Sequence, residues 1–187
     1  MRTTKTLRMV RCGMFTALVA IGAFIRIPVP YMDYFTLQFL FVILAGILLG
    51  PADGAAAVGA YVLIGLAGVP VFAAGGGLQY IFRPSFGYLL GFVAAAYAAG
   101  MTVERRRPTG FGGYFVCGLA GFAVTYGIGL VYKYFMLNIY VGEPTPFWIV
   151  LASCFPLDMP GDLVLCGVGA SLAGQLRPAF RRIGYGE

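Results

Sequence analysis

Three short stretches hold the polar side chains that could bind a ligand in a chain that is otherwise largely apolar. They read YFTLQF at 34–39, GGGLQYIFRPSFGY at 75–88 and FPLDMPGDLVL at 155–165. A guanidinium such as that of Arg83 can hold a carboxylate through paired, charge-assisted hydrogen bonds. Amides and carboxylates, such as Gln38 and Asp162, can satisfy further polar groups of a small molecule. These residue types indicate binding of a small polar molecule rather than a reaction.

Arg83 directly precedes a proline and follows three consecutive glycines at 75–77. Proline disfavours helix at the residue before it, so Arg83 should be extended, with a helix starting at about 84 or 85. Unpaired N–H groups and the helix dipole favour an anion at such a helix start. We therefore expect Arg83 to bind an anionic group. The alternative is that it pairs with an acid such as Asp33 or Asp158 and only fixes the loop.

Other polar residues in apolar surroundings are candidates as well. Lys133 lies in GIGLVYKYFMLNIY, and an ionisable residue inside a membrane segment is a functional candidate by default. Gln38 is a candidate because an amide that faces lipid is costly, whereas Thr36 has a helix cap as its alternative role. Asp162 follows a Pro-Gly break, which in membrane helices points to a substrate site. Capping of the last helix is the alternative for Asp158 or Asp162.

The absence of histidine from all 187 residues excludes several kinds of chemistry. It removes His-dependent proteolysis, His-ligated metal or haem sites and His proton relays. The sequence also holds no P-loop and no G-x-S-x-G motif, the signatures of ATP binding and of acyl transfer. We predict no catalytic residues, no metal site and no cofactor. The enzymatic alternative is a membrane enzyme that uses carboxylates to act on a lipid.

The elements that must position these residues are membrane helices. The chain is 60% hydrophobic and 11% charged, with a mean hydropathy of +0.86, which favours a lipid environment. Charge-free intervals at 34–52, 54–82, 84–103 and 108–132 are close to or above the roughly 20 residues that a bilayer-spanning helix needs. We predict an all-α membrane protein with a single domain over 1–187, a partial helix within 144–157, and six transmembrane helices at roughly 7–27, 35–50, 53–71, 85–103, 110–135 and 158–177.

The basic residues predict how the chain is oriented. Ten of the 13 Lys and Arg residues fall in three groups, at 2–11, 105–107 and 177–182, which six helices would place on one side. The positive-inside rule makes that side, with both termini, cytoplasmic. The remaining three cations, Arg83 and Lys133 among them, map to the outer ends of helices. The net charge of +6 is therefore a topology signal, and we predict no nucleic-acid partner.

The motifs FTLQFLFVILAGILLGPADGA, LAGVPVFAAGGGLQYIFRPSFGYLLGF and PGDLV occur in this order, within a resemblance that extends over nearly all of 17–176. In content and spacing they resemble the BioY family, the biotin-binding S components of energy-coupling factor (ECF) transporters. The resemblance implies an S-component fold of six transmembrane helices. It also implies a glycine-rich loop between helices three and four and a vitamin pocket on the extracellular side.

The same resemblance implies high-affinity capture of biotin outside the cell and its delivery inward by an ECF module. That module would comprise a transmembrane T component and two cytoplasmic ATPase subunits, so this chain is not expected to be an enzyme. Its expected location is the plasma membrane of a bacterium or archaeon, in contact with membrane lipid. An S component for another vitamin is the alternative, because Leu165 stands where the family motif P-G-D-L-x-K has its lysine.

Biotin would give each polar residue a role. Its valerate carboxylate would contact Arg83, with Lys133 as the second choice. Its ureido ring would use Asp162 as an acceptor and Gln38 or Gln79 as an amide partner. Aromatic side chains would form the walls around the ring system, with core packing as their alternative role. The predicted substrate-binding residues are Thr36, Gln38, Gln79, Tyr80, Arg83, Tyr88, Lys133 and Asp162.

The first helix carries small residues at four-residue spacing. The resemblance implies that this face docks on the T component, and small residues allow helices to approach closely in lipid. The alternative is packing within the chain's own helix bundle. The predicted docking residues are Gly13, Thr16, Ala17 and Ala20.

Overall fold

The computed structural model of the chain describes residues 2–27, 34–155 and 157–182, and the side chains of 5–27, 34–155 and 157–180. Helices make up most of it. The α-helices are α1 Arg2–Phe24, α2 Gln38–Leu49, α3 Pro51–Leu66, α4 Phe86–Arg106, α5 Phe111–Phe135, α6 Phe147–Cys154 and α7 Asp158–Arg182. A 3₁₀ helix, Leu78–Phe82, precedes α4, and a π-helix, Met136–Val141, continues α5. Strand β1, Arg26–Ile27, pairs antiparallel with β2, Phe35–Thr36.

Four helical segments of the described residues are long and apolar enough to cross a membrane. They are Lys5–Phe24, Phe86–Arg106, Phe111–Val141 and Asp158–Phe180. This finding supports the predicted all-α membrane protein with several spans. The helix α6 lies within the partial helix predicted at 144–157.

The second and third helices are shorter than the sequence predicts. The structure gives α2 12 residues and α3 16 residues. At 1.5 Å per residue, α2 is about 18 Å long, well below the roughly 30 Å of a bilayer's hydrocarbon core. The shortening has a local cause, because Phe35 and Thr36 pair in the β-hairpin and are not available to the helix.

Helix α2 forms the centre of the bundle. Eleven of its residues are buried, as expected for a helix that is apolar on every side. Its contact with α4 depends on small residues, because Gly46 packs directly against the backbone of Ala96. Gly91 of α4 also lies close to the backbone of α5, where an added Cβ would be 2.9 Å from the Thr125 carbonyl oxygen. Close backbone approach of this kind is how apolar helices associate in lipid.

Polar contacts tie the helices together at the end of the bundle where α1 begins. Arg8 Nε donates to both carboxylate oxygens of Asp53 in α3, at 2.6 and 2.7 Å. Arg177 of α7 donates to Tyr114 Oη of α5 at 3.3 Å. The exposed basic run 105–107 lies near the same end, where α4 finishes. The β-hairpin, the 3₁₀ helix, the π-helix and α6 cluster at the opposite end, which leaves room there for a cavity.

Candidate functional site

A cavity of 670 Å³ opens at the end of the bundle where α2, α4 and α7 begin and α5 finishes. Most of the polar residues singled out from the sequence line it. Its walls come from the β-hairpin, the loop after α3, the π-helix and α6 as well. The polar and aromatic side chains of this lining include Thr36, Gln38, Tyr80, Ser85, Tyr88, Tyr126, Lys133, Ser153, Asp158 and Asp162.

Asp162 is the buried carboxylate of the cavity, with 8% of its surface exposed. It lies in the second turn of α7, beyond the position of a helix cap, and its Oδ2 accepts from the Tyr126 hydroxyl at 2.8 Å. Within the described ranges, no Lys or Arg forms an ion pair with it. Its Oδ1 makes no hydrogen bond to the residues that the structure describes. A buried carboxylate accepts several hydrogen bonds, so a ligand N–H would complete this site.

Lys133 supplies a cation to the same cavity from the last turn of α5. Its Nζ donates to Ser153 Oγ of α6 at 3.0 Å, and Ser153 Oγ donates in turn to the Val150 carbonyl at 2.7 Å. An ammonium has three donors, and the described residues use one of them. The other two are available to an anionic ligand group.

Gln38 and Thr36 form the wall where the β-hairpin meets α2. Gln38 is buried, and its Nε2 donates to the Tyr61 hydroxyl of α3 at 2.7 Å. Thr36 Oγ1 donates to Gln38 Oε1 at 3.3 Å. The residue before the first residue of α2 is Leu37, and no side chain caps this helix start. Thr36 therefore contacts Gln38 rather than capping the helix.

Two of the predicted aromatic residues face the cavity. Tyr80 is buried, with its ring centroid 4.6 Å from that of Phe72. The ring of Tyr88 meets that of Tyr126 edge to face at 5.8 Å, and its hydroxyl lies 3.0 Å from Cys154 Sγ. Both tyrosines pack in the core and line the cavity at once.

Arg83 and Gln79 lie outside the cavity lining. Arg83 is extended, with φ −82° and ψ 137°, which confirms the backbone expected before a proline. Its side chain is exposed, and its Cζ lies 5.3 Å from the centroid of the Tyr80 ring. Gln79 is also exposed, and its Nε2 donates to the Gly76 carbonyl at 3.0 Å. Asp33, one acid considered as a partner of Arg83, lies outside the described residues.

Sequence reasoning missed several lining residues, among them Tyr126, Ser153 and Ser85. Tyr126 lies seven residues before Lys133, a spacing that puts both on one face of α5 and could have identified it. Ser153 belongs to a short apolar helix, and nothing in its neighbours indicates which side chain faces inward. Ser85 precedes α4, and its buried hydroxyl has no hydrogen-bond partner in the described part of the chain. A buried hydroxyl of this kind is a candidate for contact with a ligand.

Leu165 does not line the cavity but is buried in the main hydrophobic core. The cation of the cavity thus comes from Lys133 on α5 rather than from the third position after Asp162 on α7. No group of three or more His, Cys, Asp or Glu side chains that could hold a metal ion occurs in the described residues.

The four small residues of α1 divide between two faces. Gly13 and Ala17 are exposed, and a Cβ added to Gly13 would meet nothing within 4 Å. Thr16 faces α3, where its Oγ1 lies 2.8 Å from the Ala57 carbonyl oxygen. Ala20 packs against the main core. The exposed pair is therefore available for a contact outside the chain, whereas the other two contribute to the bundle.

Comparison with known proteins places these features in a family. The BioY family model matches residues 1–182. A probable biotin transporter BioY of Lysinibacillus sphaericus is 38% identical over 181 residues, covering 97% of this chain and 92% of that protein. The biotin transporter BioY of Thermotoga maritima is 41% identical over 137 residues, covering 73% and 77%.

A solved structure has the same fold. It is described as the S-component for biotin from an ECF-type ABC transporter, and it superimposes with a TM-score of 0.84. The match covers 95% of this chain and 94% of that one at 24% sequence identity. The helices described above are thus arranged as in a solved S component.

Proposed function

The chain belongs to the BioY family, and on that premise we propose that it is the biotin-binding S component of an ECF-type transporter. In this proposal it captures biotin in the cavity between the β-hairpin, α4, α5 and α7. The cavity volume of 670 Å³ lies within the range of about 300–1,000 Å³ that is common for small-molecule sites. Partly polar, partly aromatic walls suit a ligand with a fused ring system and an acidic tail.

The ureido ring of biotin offers two N–H donors and one carbonyl acceptor. We assign one N–H to the Asp162 carboxylate, whose Oδ1 makes no bond to the described residues. The carboxylate would gain a charge-assisted hydrogen bond, the stronger kind. Gln38 and Thr36 supply further polar groups on the facing wall. The buried Ser85 hydroxyl is a candidate donor to the ring carbonyl.

We assign the valerate carboxylate of biotin to Lys133. Its ammonium has donors to spare and lines the cavity, whereas Arg83 is exposed beside Tyr80. Arg83 then acts at the rim, where a positive charge attracts the anion without a direct contact. Tyr80 and Tyr88 form aromatic walls against the ring system.

We further propose that the cavity faces the outside of the cell and that both termini are cytoplasmic. The support is the positive-inside rule, because the basic groups at 2–11, 105–107 and 177–182 belong to the end opposite the cavity. Six membrane segments would follow, with α2 and α3 as the two short ones. Biotin then moves inward with an ECF module, in which a T component and two cytoplasmic ATPases provide the energy. The exposed Gly13 and Ala17 face of α1 is the proposed contact with the T component.

One observation carries this proposal: the Asp162 carboxylate and the Lys133 ammonium line the same cavity from neighbouring elements. The test is a calorimetric titration of the purified chain with biotin. We expect one site of high affinity. Absence of binding at micromolar biotin would refute the assignment, and binding of a different vitamin in the same titration would identify the alternative ligand.

A further inference from the structure

A chain of hydrogen bonds leads from the loop after α3 to the wall of the cavity. The Val71 carbonyl accepts from the Tyr61 hydroxyl at 3.1 Å, and the Tyr61 oxygen accepts from Gln38 Nε2 at 2.7 Å. On the cavity side, Thr36 Oγ1 donates to Gln38 Oε1 at 3.3 Å. Tyr61 itself is 1% exposed and does not line the cavity. Its hydrogen bonds reach the cavity wall through Gln38.

The donor-to-acceptor direction of these hydrogen bonds is fixed at the Val71 end. A backbone carbonyl can only accept, so the Tyr61 hydroxyl must direct its single hydrogen to Val71. The Tyr61 oxygen is then left as an acceptor, and only the NH₂ side of the Gln38 amide can satisfy it. The carbonyl oxygen of Gln38 consequently lies on the side of Thr36 and of the cavity.

We infer that Tyr61 is a positioning residue that makes Gln38 present its carbonyl oxygen, a hydrogen-bond acceptor, to the substrate. The inference rests on the function proposed above and specifies one contact within it. The ligand group that meets the Gln38 carbonyl must be an N–H or O–H donor, which in biotin is a ring N–H. Thr36 fills one acceptor position of that carbonyl, and a ligand without the donor would leave the second one empty in a buried site, a mismatch that gives discrimination.

The surroundings of Tyr61 hold it in this position in the absence of ligand. Its ring packs edge to face on Phe72, with centroids 5.5 Å apart. Phe72 packs in turn on Tyr80, which lines the cavity. Gln38 is therefore oriented before the ligand arrives, which lowers the entropic cost of binding.

The test is a double-mutant cycle on biotin affinity with Tyr61→Phe and Gln38→Met. Each single change should weaken binding about tenfold, the effect of one hydrogen bond in a buried site. The double variant should bind like Gln38→Met alone, because Tyr61 acts through Gln38. The inference would be overturned if the fold loss of biotin affinity in the double variant equalled the product of the two single losses. A tyrosine with only a structural role would act independently of residue 38 in this way.

Tyr114→Phe is the matched control. It also removes a buried tyrosine hydroxyl, but at the opposite end of the bundle, where the hydroxyl accepts from Arg177. Its biotin affinity should equal that of the unmodified chain. An equal loss of affinity in both Tyr→Phe variants would mean that general loosening, and not the orientation of Gln38, explains the effect of Tyr61.

If Tyr61→Phe does not fold, a series of ligands tests whether the Gln38 carbonyl accepts from a ring N–H. Biotins methylated at one or the other ring nitrogen would be compared on the unmodified chain and on Gln38→Met. One of the two methylated biotins should bind the unmodified chain at least about tenfold more weakly than biotin does. In Gln38→Met, the affinities for biotin and for that methylated biotin should be nearly equal. An unchanged ratio of these two affinities would overturn the inference. Failure of the unmodified chain to bind biotin would instead refute the proposed function, so the two failures are distinct.

Discussion

The Lys133 ammonium and the Asp162 carboxylate line one cavity, yet each is bonded to a neutral hydroxyl rather than to the other. Lys133 donates to Ser153 at 3.0 Å, and Asp162 accepts from Tyr126 at 2.8 Å. Two opposite charges attract each other more strongly in an apolar bundle than in water. Their separate placement leaves both available to a ligand that carries an N–H group at one end and an anion at the other.

Lys133→Met is predicted to weaken binding of biotin by at least about tenfold, because a charge-assisted hydrogen bond is lost. Binding of a biotin amide, which lacks the negative charge, should change much less. The measurement is a pair of titrations with the two ligands. Arg83→Met is the matched variant at the rim, and a larger loss for it than for Lys133→Met would reverse our assignment of the carboxylate.

Asp162→Asn is predicted to lower the affinity for biotin and for the biotin amide alike, by about tenfold or more, because the ureido ring loses its charged acceptor. Glu104→Gln, an exposed change in the last turn of α4, serves as the control and should leave both affinities unchanged. Equal affinities for Asp162→Asn and the unmodified chain would show that the carboxylate does not contact the ligand.

Gly91→Ala is predicted to lower the free energy of unfolding by about 1–3 kcal/mol, because the new methyl group meets the α5 backbone in a tightly packed contact. The added Cβ would lie 2.9 Å from the Thr125 carbonyl oxygen. Gly127→Ala adds the same group to α5 where nothing lies within 4 Å. Thermal unfolding in detergent should show a lower midpoint for the first variant only. A neutral Gly91→Ala would mean that α4 and α5 do not approach this closely.

Ala17→Trp is predicted to abolish biotin uptake by cells while the purified variant still binds biotin. Ala17 is exposed on α1, so a bulky side chain there would obstruct a partner helix without disturbing the bundle. Ala20→Trp provides the contrast, because Ala20 packs against the main core and should lose folding and binding together. Normal uptake by the Ala17 variant would exclude this face from docking.

The sequence pointed to candidate site residues where an isolated polar residue stood in an apolar segment. Lys133, Gln38 and Asp162 stand out for that reason, and all three line one cavity. The direction of the Arg83 side chain could not be predicted in the same way. The following proline fixes the extended backbone at Arg83, but the packing of Tyr80 and its neighbours decides whether the side chain faces the cavity or the solvent.

Residues that act through tertiary contacts could not be identified from the sequence. Tyr61 and Ser153 lie in apolar helices, and their hydroxyls become significant only because Gln38 and Lys133 lie opposite them. The length of α2 was overestimated for a related reason. A charge-free interval shows only how far apart two charged residues are, and not where a helix begins. The first residue of α2 is set by the pairing of β1 with β2, which is a contact between separate segments.

The most direct test of the account is a structure of the chain with biotin bound. We predict the ureido ring at Asp162 and Gln38, and the valerate carboxylate within hydrogen-bonding distance of Lys133 Nζ. Biotin bound elsewhere, or bound in this cavity with its carboxylate at Asp162 and its ureido ring at Lys133, would contradict the account.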